Sequence, residues 1–224
     1  MNFNDLQLSQ LRRDYKAGEL DEKSILCNPT EQFSLWFEQA LHSQLLEPAA
    51  MSIATVSENG QPSLRTVLLK GFDERGFVFY TNYESRKGCE LHTNPNAALL
   101  FYWDILERQV RIEGRVEKIA EQLSDAYFDT RPQESRISAY ISPQSQIIES
   151  RKSLENKFVA FEQQCAANAN LLQRPPYWGG YCLVPHYFEF WQGRIGRLHD
   201  RIAYFLSSNN DRHNCQWQIE RLAP

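Results

Sequence analysis

Apolar residues recur along this chain with two different periods. From 30 to 46, Phe33, Trp36, Phe37, Ala40 and Leu41 fall three or four apart, which predicts a helix with Thr30 as its N-cap. Leu6, Leu8 and Leu11 predict an earlier helical segment over 4–17, stopped by Gly18, and residues 19–29 read as loop. From Met51 the pattern becomes β-like. Strands are predicted over 51–57, 64–70, 76–81, 97–103, 107–118, 178–184, 186–192, 197–206 and 215–222. Asn59-Gly60 and Asp73-Glu-Arg-Gly76 mark tight turns between them. Helical stretches interrupt the strands at 85–93, with Ser85 as cap, and at 121–130, 133–141 and 150–168.

Short strands joined by tight turns favour antiparallel pairing. The pattern predicts a mainly β, α+β fold with flanking helices: a small closed or partly closed antiparallel barrel. Regular strand–helix alternation and a Gly-x-Gly-x-x-Gly turn are both missing, which disfavours a doubly wound sheet. At 224 residues, 42% of them hydrophobic, the chain reads as one domain over 1–224. A net charge of −4 argues against a protein whose main task is holding nucleic acid. No apolar run approaches the length of a membrane span, and residues 1–7 lack the pattern of a signal peptide. The five cysteines are odd in number and scattered, which fits a reducing cytoplasm rather than a disulfide framework or a metal site.

The candidate chemistry lies in a few blocks. If 197–206 is a strand, Arg197, His199 and Arg201 share a face, and two guanidiniums beside an imidazole call for an anion among them. Arg65 and Lys70 bracket a largely apolar stretch, although opposite parity would split them between faces. Arg86 and Lys87 stand at a helix start, where the dipole disfavours cations unless a phosphate sits there; solvated surface charge is the plainer reading. Tyr127, Arg131 and Ser135 are four apart and form a second phosphate cradle if Pro132 does not part them, or simply a polar loop. Gln109 suits a heteroaromatic ring edge or an exposed strand start, and Ser142-Pro-Gln-Ser145 is a polar turn.

In order and spacing, Leu11-Arg-Arg-Asp-Tyr15, Arg65-Thr-Val-Leu-Leu-Lys70, Phe79-Tyr-Thr-Asn82, Ser85-Arg-Lys87, Glu107-Arg-Gln109, Trp178-Gly-Gly180, Phe188-Glu-Phe-Trp-Gln-Gly193, Arg197-Leu-His-Asp-Arg201 and Arg221-Leu-Ala-Pro224 resemble the pyridoxamine 5′-phosphate oxidase family. The resemblance implies an FMN-binding split β-barrel and a homodimer with FMN at the subunit interface. It implies a 1–20 N-terminal helical segment and a 170–224 part for dimerisation and substrate binding. Pyridoxamine or pyridoxine 5′-phosphate would be oxidised by O2 to pyridoxal 5′-phosphate, with hydride passing from C4′ to flavin N5. Hydrogen peroxide is released, and ammonia from the amine.

Arg65, Thr66, Val67, Leu68, Leu69, Lys70, Tyr80, Thr81, Arg86, Lys87, Gln109, Gln144, Ser145, Trp191 and Arg201 match the family's flavin positions. Lys70, Tyr127, Arg131 and Ser135 match its substrate-phosphate positions. Arg197 and His199 match the residues that hold the substrate ring, with Leu198 between them, and Arg12, Arg13, Asp14 and Tyr15 match a stretch that approaches the substrate. No metal is implied. The chain departs from the family pattern at Arg194-Ile195-Gly196 and at Gln146. Two other readings remain: a non-catalytic FMN- or pyridoxal-phosphate-binding split-barrel protein, and a flavin reductase.

Overall fold

A computed structural model describes residues 14–168, 171–206 and 217–224. Arg12, Arg13 and the first part, 4–13, of the helix predicted over 4–17 lie outside them. In chain order the elements are helix α1 (Pro29–Leu41), strands β1 (Ala50–Val56), β2 (Pro62–Leu68), β3 (Gly71–Asp73) and β4 (Gly76–Asn82), helix α2 (Arg86–Thr93), strands β5 (Asn96–Trp103) and β6 (Arg108–Lys118), helices α3 (Glu121–Thr130), α4 (Gln133–Ile141) and α5 (Arg151–Ala167), and strands β7 (Trp178–Gln192), β8 (Asp200–Leu206) and β9 (Trp217–Arg221). The strands form one sheet in the order β2-β1-β5-β6-β7-β4-β3, with β8 pairing β7 and β9 pairing β8. Every pairing with a defined register, β1–β2, β3–β4, β4–β7, β7–β8 and β8–β9, is antiparallel.

The chain divides into two compact units, and β5, β6 and β7 contribute to both. The first comprises the described residues of Met1–Pro48, Leu100–Ile112 and Tyr187–Pro224. Its core is aromatic: Phe33 meets Phe101 at 5.0 Å, and Trp36 stands edge-on to Phe190 at 5.2 Å. Deep in it Glu189, 2% exposed, accepts from Arg111 and Arg201, both at 2.9 Å, and from the Tyr187 hydroxyl at 3.0 Å. Burial alone would raise its pKa; the Arg201 hydrogen bond and the charges of Arg201 and Arg111 outweigh burial and lower it.

The second unit is Ala49–Leu99 with Glu113–His186. β1 alternates buried and half-buried positions, with Met51, Ile53 and Thr55 inward, as a period of two requires. The β1–β2 hairpin closes over 57–61, where Gly60 takes φ +83°, so the Asn59-Gly60 signal is correct. Gly76 has φ +144°, and a Cβ there would lie 2.0 Å from the Leu183 carbonyl oxygen. That turn therefore needs glycine, for conformation and for space.

Five expectations are corrected. Asn28 rather than Thr30 caps α1, its side chain accepting from the Thr30 and Glu31 N–H groups, and Pro29 fills the first helical position. The helix also ends at Leu41, short of 46. Residues 14–17 are not helical, because the Lys16 and Ala17 N–H groups donate to the Glu107 carboxylate instead. The strands expected at 178–184 and 186–192 are one: Pro185 falls between the stretch paired with β4, ending at Leu183, and that paired with β8, starting at Tyr187. Finally, β8 begins only at Asp200; Ile195–Arg197 is a 3-10 turn with Gly196 at φ 68° and Arg197 at φ 62°.

Glu189→Ala leaves two guanidiniums without their shared carboxylate and is expected to cost about 3 kcal/mol, read as a lowered Tm. Because the folded-state pKa of Glu189 lies below its ordinary value, this contribution is present above the ordinary carboxylate range. It is lost as the pH falls, so the Tm difference narrows below about pH 4.

Candidate functional site

A cavity of about 350 Å³ in the second unit gathers Arg65, Thr66, Val67, Leu68, Lys70, Tyr80, Thr81, Lys87, Tyr127, Arg131, Gln144 and Trp178. Four of these are cations and none is a carboxylate. The parity problem between Arg65 and Lys70 disappears because β2 ends at Leu68, and Lys70 lies beyond it where the chain turns into β3.

Lys87 is placed by the start of α2. The Ser85 side chain caps the helix through the Gly88 N–H, and a Cβ on Gly88 would lie 2.1 Å from the Tyr83 carbonyl oxygen. The helix start is thus pressed against Tyr83, and Lys87 is left 7% exposed. Its ammonium donates to Gln144 Oε1 at 2.8 Å, Thr81 Oγ1 at 3.0 Å and Ser85 Oγ at 3.2 Å, all of them neutral acceptors. Burial, and then the Arg65 charge, lower its pKa to about 8 despite Glu90. Gln144 Oε1 also accepts from the Thr81 hydroxyl at 3.1 Å, so a neutral carbonyl sits where an anionic oxygen would accept the same bonds.

Glu90, one turn on, is 6% exposed and accepts from Thr55, Ser63, Arg65 and Arg86. Burial would raise its pKa, but the hydrogen bonds from Ser63, Thr55 and Arg86 and the Arg65 charge bring it down to about 2. It holds Arg65 in place from behind the cavity wall and engages Arg86, which does not line the cavity.

Part of the lining is aromatic. Tyr80 stacks on Tyr127 at 3.9 Å and on Trp178 at 5.5 Å. Arg131 lies 4.6 Å over the Trp178 ring, and its buried Nη1 has no hydrogen-bond partner. Although α3 stops at Thr130, as Pro132 requires, Tyr127 and Arg131 still line one cavity. Ser135, Ser145 and Leu69 do not line it; Ser145 has φ 73°, and the Leu69 N–H donates to the Ala49 carbonyl.

The remaining predicted residues belong to the first unit. Gln109 is half-buried on β6. Arg201 is engaged by Glu189 and by the Ala223 carbonyl; because 195–197 is a 3-10 turn and β8 starts only at Asp200, the period-two face expected for Arg197, His199 and Arg201 does not form. The Arg194 N–H donates to His199 Nδ1 at 3.1 Å. A backbone N–H can only donate, so Nδ1 is the acceptor and the imidazole proton sits on Nε2. Burial, and then the Arg197 charge, lower the pKa of His199, which favours that neutral ring. The ring lies 4.7 Å from Trp191, and Tyr15 stands edge-on to both, at 5.3 Å from His199 and 5.7 Å from Trp191. Beside them a cavity of about 670 Å³ is lined by Tyr15, Lys16, Gly18, Glu19, Arg194, Ile195, Leu198 and Asp200. The departing residue Arg194 pairs there with Glu19 at 2.9 Å.

Sequence reasoning gave no role to Trp178, Glu90 or Glu107. The spacing of Arg86 and Glu90 was a usable sign of an i,i+4 ion pair. Among the described residues no cluster of His, Cys, Asp and Glu is arranged to hold a metal, and no helix is long and apolar enough to cross a membrane.

An antiparallel sheet of this order, with flanking helices, is that of a split-barrel protein. Residues 37–165 match the family model described as pyridoxamine 5′-phosphate oxidase, and 178–224 match that of the pyridoxine 5′-phosphate oxidase C-terminal dimerisation region. A pyridoxine/pyridoxamine 5′-phosphate oxidase from Cupriavidus taiwanensis is 54% identical over 218 residues, covering 97% of this chain and 99% of that protein. One from Gloeothece citriformis is 53% identical over 220 residues, covering 98% and 100%. Among solved structures, PhzG from Burkholderia lata 383, in complex with tetrahydrophenazine-1-carboxylic acid, superposes with TM-score 0.82 at 29% identity, covering 92% of this chain and 98% of that one. The chain therefore belongs to the pyridoxine/pyridoxamine 5′-phosphate oxidase family and is an oxidoreductase.

An anion bound beside Lys87 restores the ammonium's ordinary pKa, so above about pH 8 binding must take up a proton. The affinity for a simple phosphate monoester such as phenyl phosphate, dianionic throughout this range, is expected to fall by up to about tenfold per pH unit above that value. Titration calorimetry between pH 8 and 9.5 checks this, and Lys87→Met is expected to bind weakly with no such slope.

Proposed function

We propose that the protein oxidises pyridoxamine 5′-phosphate and pyridoxine 5′-phosphate to pyridoxal 5′-phosphate, with FMN as cofactor and O2 as electron acceptor. The observation that carries this reading is the carboxylate-free cavity, with its four cations, the buried Lys87 and the unpartnered Nη1 of Arg131. These groups fit phosphate esters, and the neighbouring aromatic wall fits flat rings. When bound, FMN would supply the redox chemistry, a two-electron oxidation of the substrate at C4′ with O2 as final acceptor and hydrogen peroxide as its product.

The protein's part is binding and orientation. Arg65, held from behind by Glu90, and Lys87, with Thr81 and Gln144 beside it, hold the flavin phosphate, and Arg86 strengthens the same corner through Glu90. Residues 66–69, Tyr80, Gln109, Ser145, Trp191 and Arg201 complete the flavin set. Lys70, Tyr127, Arg131 and Ser135 hold the substrate phosphate. Arg197 clamps the substrate ring, with Leu198 beside it. His199 donates a hydrogen bond from Nε2, since Nδ1 is engaged by Arg194. Neither needs to act as a base if hydride leaves directly. The amine substrate yields an imine that water hydrolyses to the aldehyde and ammonia. The family resemblance also gives segment 12–15 an approach to the substrate.

The match of 178–224 to a dimerisation region supports a homodimer, with FMN at its interface. We read the whole chain as one functional domain, and its scattered cysteines as fitting the cytoplasm.

The test is aerobic turnover of pyridoxamine 5′-phosphate by the FMN-loaded protein, following pyridoxal 5′-phosphate and peroxide together. Equal amounts are expected, and Arg197→Ala is expected to lower kcat/KM about 100-fold with flavin content unchanged. Bound flavin without either product would reject the oxidase reading in favour of the carrier; oxidation of a nicotinamide cofactor instead would favour the reductase.

A further inference from the structure

Glu107 is tied to the chain on two sides. Its carboxylate, in a residue only 9% exposed, accepts through Oε2 from the Lys16 N–H at 2.6 Å and the Ala17 N–H at 2.8 Å. Its main-chain carbonyl accepts from the Gly193 N–H at 2.8 Å and from Gln192 Nε2 at 3.2 Å. Its backbone is left-handed, φ 53°, which is unusual for a residue with a Cβ. A buried carboxylate and a left-handed backbone are each unfavourable, and persist only where surrounding contacts over-determine them.

The two sides meet at Tyr15. The segment latched by Oε2 carries Tyr15 one residue before Lys16. The glycine held by the carbonyl is the surface on which the Tyr15 ring rests, for a Cβ on Gly193 would lie 2.5 Å from Tyr15 Cδ1. That ring stands edge-on to His199 and Trp191. One residue therefore sets both the backbone that delivers Tyr15 and the backbone that receives it.

We propose that Glu107 is a positioning residue: its carboxylate latches residues 16 and 17, and so holds Tyr15 against the His199–Trp191 pair on the side where substrate binds. The inference rests on the proposed substrate role of Arg197 and His199. Glu107 itself touches neither substrate nor cofactor in this scheme. What it controls is the order of the segment that covers them, so its loss acts on substrate affinity more than on the chemical step.

The experiment uses the FMN-loaded full chain as wild type, Glu107→Ala, Glu107→Gln and Gly193→Ala. Hydrogen exchange of the Lys16 and Ala17 amides is read without substrate; KM, kcat and flavin content are read with pyridoxamine 5′-phosphate. Both amides are expected to be protected in wild type and in Glu107→Gln, whose amide oxygen still accepts both bonds. They exchange at least about tenfold faster in Glu107→Ala. KM is expected to rise about tenfold in Glu107→Ala, with kcat within about twofold and flavin content unchanged. Gly193→Ala displaces the Tyr15 ring and is expected to raise KM alike with Glu107 intact, which keeps the test decisive if Glu107→Ala does not fold.

Unchanged amide exchange in Glu107→Ala overturns the latch. Faster exchange with unchanged KM overturns the positioning role, as does a Glu107→Gln variant as impaired as Glu107→Ala. A wild type that protects both amides but turns over no vitamer rejects the proposed reaction, and the positioning role with it, while the latch stands.

Discussion

Burying the Lys87 ammonium beside the Arg65 guanidinium is the constraint from which the cavity of the second unit follows. A cation removed from water needs either a counter-charge or a full set of acceptors. Lys87 has the acceptors, three neutral oxygens on Thr81, Ser85 and Gln144, and no carboxylate among them. Its lowered pKa is the electrostatic record of that imbalance. The Ser85 hydroxyl oxygen meets two demands at once, capping α2 at Gly88 and accepting from Lys87. The same side chain that starts the helix therefore fixes the ammonium.

Glu90 keeps this arrangement foldable. Its carboxylate gathers Arg65 and Arg86 with the hydroxyls of Thr55 and Ser63, and stays ionised far into acid. Because it lies behind Arg65 and outside the cavity lining, it compensates the cluster without cancelling the positive potential inside. A carboxylate on the cavity wall would stabilise the empty protein at the expense of binding an anion.

Much of this was legible in the sequence. The helices α2, α3 and α4, the hairpin turns and the cation pairs at 65–70 and 86–87 follow from period, caps and charge, which are local properties. Where the reading failed, either a better local signal was passed over or a distant contact outweighed the local preference. Thr30 is an acceptable cap, but Asn28 precedes a proline suited to the first helical position. Residues 14–17 carry a helical pattern, yet the Lys16 and Ala17 N–H groups are taken by a carboxylate some 90 residues away. The two strands expected around Pro185 fuse because neither β4 nor β8 pairs at that position. Gly193 and Gly196, bracketing Arg194-Ile195, were a local sign that a strand does not run straight into Arg197.

Among the described residues, the positive-φ residues other than glycine are Glu107, Ser145 and Arg197, and each falls in a block that the sequence marked for chemistry. Such backbones are locally unfavourable and survive only where tertiary contacts hold them. For Glu107 those contacts are visible on both its carboxylate and its carbonyl. Around Arg197, the bond from the Arg194 N–H to His199 Nδ1 closes the turn in which the left-handed residues lie, and the same bond fixes the histidine's tautomer. A period-two pattern assumes an unstrained strand, so it fails at 197–199, where the backbone turns through left-handed residues. The turn gives up regular pairing, and while the Arg194 bond is in place the ring proton of His199 sits on Nε2.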